Sequence, residues 1–166
     1  MSSRWRCLAV AIEIERKFLV CGAGWRDQVR HSSPMAQAYL NDEGRASVRV
    51  RIEAEQATLN IKQAVAGAQR LEFEYPIPLV DAQQLIAELG GGRIEKQRHR
   101  VPVGEQVWEI DEFFGDNAGL IVAEIELPSL QATFERPGWL GDEVTEDSRY
   151  YNHALAQHPY KDWAAS

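Results

Sequence analysis

Glu13-Ile14-Glu15-Arg16-Lys17 places charged residues at alternate positions near the start of the chain. Successive side chains on a strand point to opposite faces, so Glu13, Glu15 and Lys17 would share one face. The pattern returns in Arg49/Arg51 among Val48, Val50 and Ile52, in Asn60/Lys62 around Ile61, and in Glu72/Glu74 around Phe73. It returns again in Lys96/Arg98/Arg100, in Glu109/Asp111 beside Trp108 and Ile110, and in Glu124/Glu126 beside Ile125 and Leu127. One such triplet in a chain that is 26% charged marks the wet face of an ordinary sheet. So many ask for a shared explanation.

The 166 residues suit one domain over residues 11–163, behind a loose N-terminal extension, residues 1–10. A formal net charge of -7 opposes attraction to nucleic acid or to an anionic membrane, so any anion site must be locally basic. Cys7 and Cys21 match no metal or redox spacing and read as free thiols of a cytoplasmic protein. The apolar run from Cys7 to Ile12 is too short for a secretory core, and no segment reaches the length of a membrane span. Gly22-Ala23-Gly24 lacks the third glycine of a dinucleotide loop, and no P-loop is present. His31, His99, His153 and His158 have no metal spacing and read as surface or packing residues.

Strand signals dominate: residues 11–20, 37–41, 46–54, 57–64, 70–77, 94–103, 106–113 and 120–127. Hairpin-length gaps make most of them antiparallel. Helices are few. Asp81 reads as an N-cap with Gln84 reaching back, and Gly90 as the stop. A second helix is predicted from Ser148 to Gln157 and a short helical turn from Ala132 to Arg136. The class is mainly β, or α+β by content.

Two arrangements satisfy the alternation. The charged faces look outward from a sandwich or barrel with an apolar core. Alternatively the sheet closes around them, leaving its apolar outer face for helices to cover. Burying charge is costly unless it is paired or solvated, which favours the first arrangement. Sorting by sign favours the second, since neighbouring like charges repel and a solvated face gains nothing from segregation. Eight acids (Glu13, Glu15, Glu72, Glu74, Glu109, Asp111, Glu124, Glu126) also balance eight bases (Lys17, Arg49, Arg51, Lys62, Arg70, Lys96, Arg98, Arg100) in a chain that is acidic overall. Acids gathered in a wet lumen would collect a divalent metal, and arginines a polyanion. Arg16 on the apolar face and Ile94 in step with Lys96 break the order.

Glu13-x-Glu15-x-Lys17 is the opening signature of the CYTH domain, and the chain resembles the short bacterial triphosphate tunnel metalloenzymes of that superfamily. Val48-Arg49-Val50-Arg51, Asn60-Ile61-Lys62, Glu72-Phe73-Glu74, Lys96-Gln97-Arg98, Trp108-Glu109-Ile110-Asp111 and Glu124-Ile125-Glu126 follow in the family's order. The likeness continues through Trp139-Leu140-Gly141, Val144-Thr145 and Arg149-Tyr150-Tyr151-Asn152. It implies a closed eight-stranded antiparallel β-barrel tunnel with a charged lumen and a few outer helices, binding a linear triphosphate along its axis.

The resemblance implies a divalent-metal-dependent hydrolase of inorganic tripolyphosphate using Mg2+ or Mn2+. Glu13, Glu15, Glu124 and Glu126 are the implied metal ligands, with Asp111 a further candidate. Lys17, Arg49, Arg51, Lys62, Lys96, Arg98 and Arg100 are the implied triphosphate ligands. Glu13, Glu15, Lys17, Arg49 and Arg51 are the implied catalytic set. Glu72 and Glu74 share those faces. Tyr39 shares a face with Gln37 and so could enter the lumen, and Arg149 could fold over a tunnel mouth. The alternatives are an adenylate cyclase, a thiamine or nucleoside triphosphatase, or a polyphosphate-binding sensor without turnover. No motif announces an organic-group pocket, and nothing fixes the oligomeric state.

Overall fold

The computed structural model describes residues 11–42 and 44–165, so the N-terminal extension expected at residues 1–10 lies outside the described residues. The described strands are β1 (Ile12–Val20), β2 (His31–Tyr39), β3 (Ala46–Glu53), β4 (Gln56–Gln63), β5 (Gln69–Pro76), β6 (Gly91–Val103), β7 (Gln106–Phe113), β8 (Ile121–Glu126) and β9 (Leu140–Glu143). Every pairing is antiparallel, in the order β5-β4-β3-β2-β6-β7-β8-β1-β9. A further pairing of β5 with β1, through Ile12 opposite Leu71 and Glu13 opposite Arg70, closes the first eight strands into a barrel. Closure removes the free sheet edges that an open sheet would expose. Past Glu15 the same strand takes β9 instead, with Phe18 opposite Glu143.

The apolar faces point outward, and the main core lies outside the barrel wall. Phe18, Trp108, Ile110 and Ile125 are covered by Phe134 and Trp139 from the segment after β8. Their rings meet edge to face, with Trp108 centroids 5.6 Å from Phe18 and Phe134 and 5.7 Å from Trp139. A second patch, Val50 and Ala57, is covered by Ala82 of α1 (Leu79–Gln84) and by Leu85 and Ile86 in the wider π turn that follows. Arg16 belongs on this outer face because its guanidinium lies 4.9 Å from the Phe134 ring centre while its Nε donates to Glu143 at 2.7 Å.

The inward face turns apolar at one end. Leu19, Ile94, Phe113 and Val122 each stand two residues from an inward charge, and they pack with Leu120 around Leu155 of α2 (Asn152–Gln157). Ile94 keeps step with Lys96 because it belongs to this plug. Gly92, at φ +63, admits α2, since a Cβ there would lie 2.6 Å from the Ala156 carbonyl oxygen.

Several local expectations are corrected. β2 begins at His31 rather than residue 37, because pairing with β6 extends past Pro34, whose missing N–H reads as a break in sequence. Asp81 is not an N-cap: α1 starts at Leu79 after Pro78, with no side-chain cap. Residues 132–137 are irregular rather than helical, since the chain there lays Ala132 and Phe134 along the outer core. The last predicted helix divides into a 3₁₀ turn, Ser148–Tyr150, and α2, because Tyr151 is extended. β9 had no strand signal of its own. Among the described residues no helix is long and apolar enough to cross a membrane.

Candidate functional site

Alternation along each strand delivers the charges to one cavity of about 1720 Å³ inside the barrel. β1 contributes Glu13, Glu15 and Lys17; β3 contributes Arg49 and Arg51; β4 and β5 contribute Lys62, Arg70, Glu72 and Glu74. Arg98 and Arg100 enter from β6, Glu109 from β7, Glu124 and Glu126 from β8, and Tyr39 from β2.

The acids gather where β1 meets β8, with Glu15 opposite Glu126 and Lys17 opposite Glu124. Lys17 pairs with Glu124, which also accepts from Arg98 Nη2 at 2.8 Å. Burial alone would raise the Glu124 carboxyl, but Lys17, Arg98 and Lys96 outweigh it and hold it well below the usual range. Glu15 goes the other way: burial raises it, and the charge of Glu124 adds to the effect. Burial likewise raises Glu13, although Lys62 lies 3.0 Å and Arg70 3.2 Å from its carboxylate.

Among the described residues no His, Cys, Asp or Glu side chains form a ready metal cage. The donor chemistry nevertheless fits a hard divalent cation. Glu13 and Glu15 are held above the usual carboxylate range, and Glu15 is crowded by Glu124, a strain that such a cation relieves. Glu126 is exposed and makes no ion pair among the described residues.

The basic wall is differently poised. Lys62 lies 3.3 Å from Glu72, Arg100 pairs with Glu53 at 2.7 Å, and Arg49 reaches only to 3.9 Å from Glu72. Arg51 makes no ion pair among the described residues, and burial with the repulsion of Arg49 and Arg98 pulls it down to about 10. The Nε and Nη2 of Arg49 and the Nε of Arg51 are buried without hydrogen-bond partners. Two such arginines with unspent donors on a cavity wall have the chemistry that suits an anion. Tyr39, buried beside them, has its phenol raised by burial although Arg49 and Arg51 oppose the shift.

Three expected site residues lie elsewhere. Lys96 and Asp111 are fully enclosed behind the cavity surface, where Lys96 pairs with Asp111 and Arg98 Nε donates to the same carboxylate at 2.7 Å. Asp111 is therefore occupied as a counter-ion, and Lys96 does not face the cavity. Burial pulls Lys96 down to about 8 even though Asp111 opposes it. Arg149 is 67% exposed and pairs with Asp147 at 2.6 Å, against the Trp163 ring and away from the tunnel.

A family model described as the CYTH domain matches residues 11–158. The chain belongs to the CYTH family. A relative from Acetivibrio thermocellus, described as an inorganic triphosphatase, is 40% identical over 152 residues, covering 91% of this chain and 97% of its own. Another from Nitrosomonas europaea, with the same description, is 38% identical over 149 residues, covering 87% and 96%. The crystal structure of the inorganic triphosphatase NE1496 superposes with a TM-score of 0.65 at 34% identity, covering 87% of this chain and 93% of the other.

This CYTH barrel also brings in residues that the alternation missed. Ser148, Tyr151, Asn152 and His153 line one mouth, and the His153 ring stands edge-on to Tyr39 at 4.8 Å. Nothing in sequence signals this, because α2 lies more than a hundred residues from β2. Arg70 was visible as an inward base by its parity with Glu72, and it sits across Glu13 and Glu15.

Proposed function

We propose that this CYTH protein is an inorganic triphosphatase that hydrolyses linear tripolyphosphate inside the barrel in a divalent-metal-dependent reaction. The carrying observation is the Arg49/Arg51 pair, two guanidinium groups with unspent donors that line the same cavity as the β1 and β8 carboxylates. The two relatives described as inorganic triphosphatases support the same reading.

Tripolyphosphate repels an attacking water, so neutralising its charge is the main task. Arg49 and Arg51 bind the phosphate oxygens, and Lys17, Lys62, Arg98 and Arg100 line the chain's path. Mg2+ or Mn2+ held by Glu15, Glu124 and Glu126, with Glu13 beside them, would supply charge neutralisation and a more acidic water. Lys17 and Arg98 keep Glu124 ionised for that role. Tyr39, set against the arginines, orients the phosphate end that lies near the plugged mouth. No covalent intermediate is required.

Phosphate release from tripolyphosphate, ATP and thiamine triphosphate, each with Mg2+, Mn2+ or chelator, tests the proposal. Tripolyphosphate is expected to be turned over fastest and only with divalent metal. Cyclic AMP formed from ATP would make the protein a cyclase instead, and tight tripolyphosphate binding without phosphate release would make it a sensor.

A further inference from the structure

Gln37 lies two residues before the end of β2, fully buried, on the inward face it shares with Tyr39. Neither its Oε1 nor its Nε2 has a hydrogen-bond partner among the described residues. Leaving a buried amide unsatisfied costs about 1–3 kcal/mol, and such a group in a native fold calls for a partner that arrives later. Its position makes the choice of residue more pointed. Gln37 stands opposite Ile94 on β6, where the lumen is already turning apolar and a hydrophobic side chain would continue the plug.

On its other side Gln37 stands directly opposite Arg51 of β3. The Arg51 Nε, a donor, is likewise buried and unpartnered, so two opposed residues carry complementary unspent groups. Three lumen cations meet acid across the ladder, Lys17 with Glu124, Arg98 with Asp111 and Lys62 with Glu72, whereas Arg49 meets Tyr39 and Asn60, and Arg51 meets Gln37 and Thr58. A carboxylate at position 37 would fix Arg51 equally well, but it would cancel the charge. An amide oxygen accepts the N–H and leaves the guanidinium positive.

We infer that Gln37 is a positioning residue for Arg51: its Oε1 receives the Arg51 Nε–H, directly or through one water, when the two Nη groups engage a phosphate of the triphosphate. The inference rests on Arg51 being a phosphate ligand. The neutral amide beside Arg51 keeps that guanidinium free of acid, while Lys17, Lys62 and Arg98 are held in ion pairs.

Steady-state kinetics with tripolyphosphate, alongside thermal unfolding without ligand, separates this role from packing. Gln37→Met keeps the volume and discards the unsatisfied amide, so its melting temperature is expected to equal or exceed that of the wild type. Its KM is expected to rise about fivefold, with kcat changed less than twofold, the signature of a lost binding contact. Gln37→Glu, which places a counter-charge on Arg51, is expected to raise KM more than tenfold. Arg51→Met is the reference for the site itself. If it raises KM while both Gln37 variants keep the wild-type KM, the positioning role is overturned and the Arg51 site stands. A wild-type KM in Arg51→Met would remove the site reading, and with it the premise for Gln37.

Discussion

Asp111 neutralises two buried cations at once, and that single residue decides how the charged wall behind the tunnel is held together. Asp111→Asn leaves buried Lys96 without its ion-pair partner, while Arg98 keeps Glu109 and Glu124, and is expected to cost about 3–5 kcal/mol in urea unfolding. Lys96→Met removes one cation yet leaves Asp111 paired with Arg98, so it is expected to be far milder. The pH dependence has a definite sign. Folding lowers Lys96 from 10.5 to about 8, so the unfolded chain binds the extra proton between those values and wild-type stability rises with pH there. Any stability advantage of Lys96→Met at pH 7.5 should therefore shrink by pH 9.5, and an advantage constant with pH would contradict the burial of a charged lysine. Sequence alternation read most inward charges correctly, including Glu13, Arg49, Arg51 and Glu126. It could not separate Lys96 and Asp111, which sit behind the surface, from Arg98, which reaches it, because parity gives a face and not a depth.

At the scale of elements, the two tight hairpins differ in one telling residue. The β6–β7 turn puts Gly104 at φ +61, whereas the β3–β4 turn forces Ala54 to φ +50. Ala54→Gly relieves that left-handed strain and is expected to gain about 0.5–1 kcal/mol by chemical denaturation, with activity unchanged. α2 is the second element with a measurable role. Leu155 is fully buried in the plug, and Leu155→Ala is expected to cost about 2–5 kcal/mol through the cavity it leaves. The hairpins of β3 to β5 and of β6 to β8 were legible because local alternation and turn residues agreed. The early start of β2, the short β9 and the irregular 132–137 cover were not, because long-range pairing and the outer aromatic cluster set them against their local propensity.

For the whole molecule, closure inverts the usual plan: the principal core wraps the outside of the barrel, and the balanced charges occupy the middle. The net charge of -7 therefore belongs to residues outside the balanced lumen set, while the arginine wall keeps its unspent donors. Tripolyphosphate should bind only the folded barrel and raise its melting temperature even without divalent metal, by an amount corresponding to about 2.7 kcal/mol at a hundred times the dissociation constant. Arg49→Met with Arg51→Met should abolish that shift. The most direct test is a crystal structure of the protein soaked with tripolyphosphate and chelator. A convergent lumen predicts the anion along the barrel axis, with phosphate oxygens about 3 Å from the Arg49 and Arg51 guanidinium groups. Tripolyphosphate held instead by outward cations such as Arg149, with the lumen free of it, would contradict the assignment.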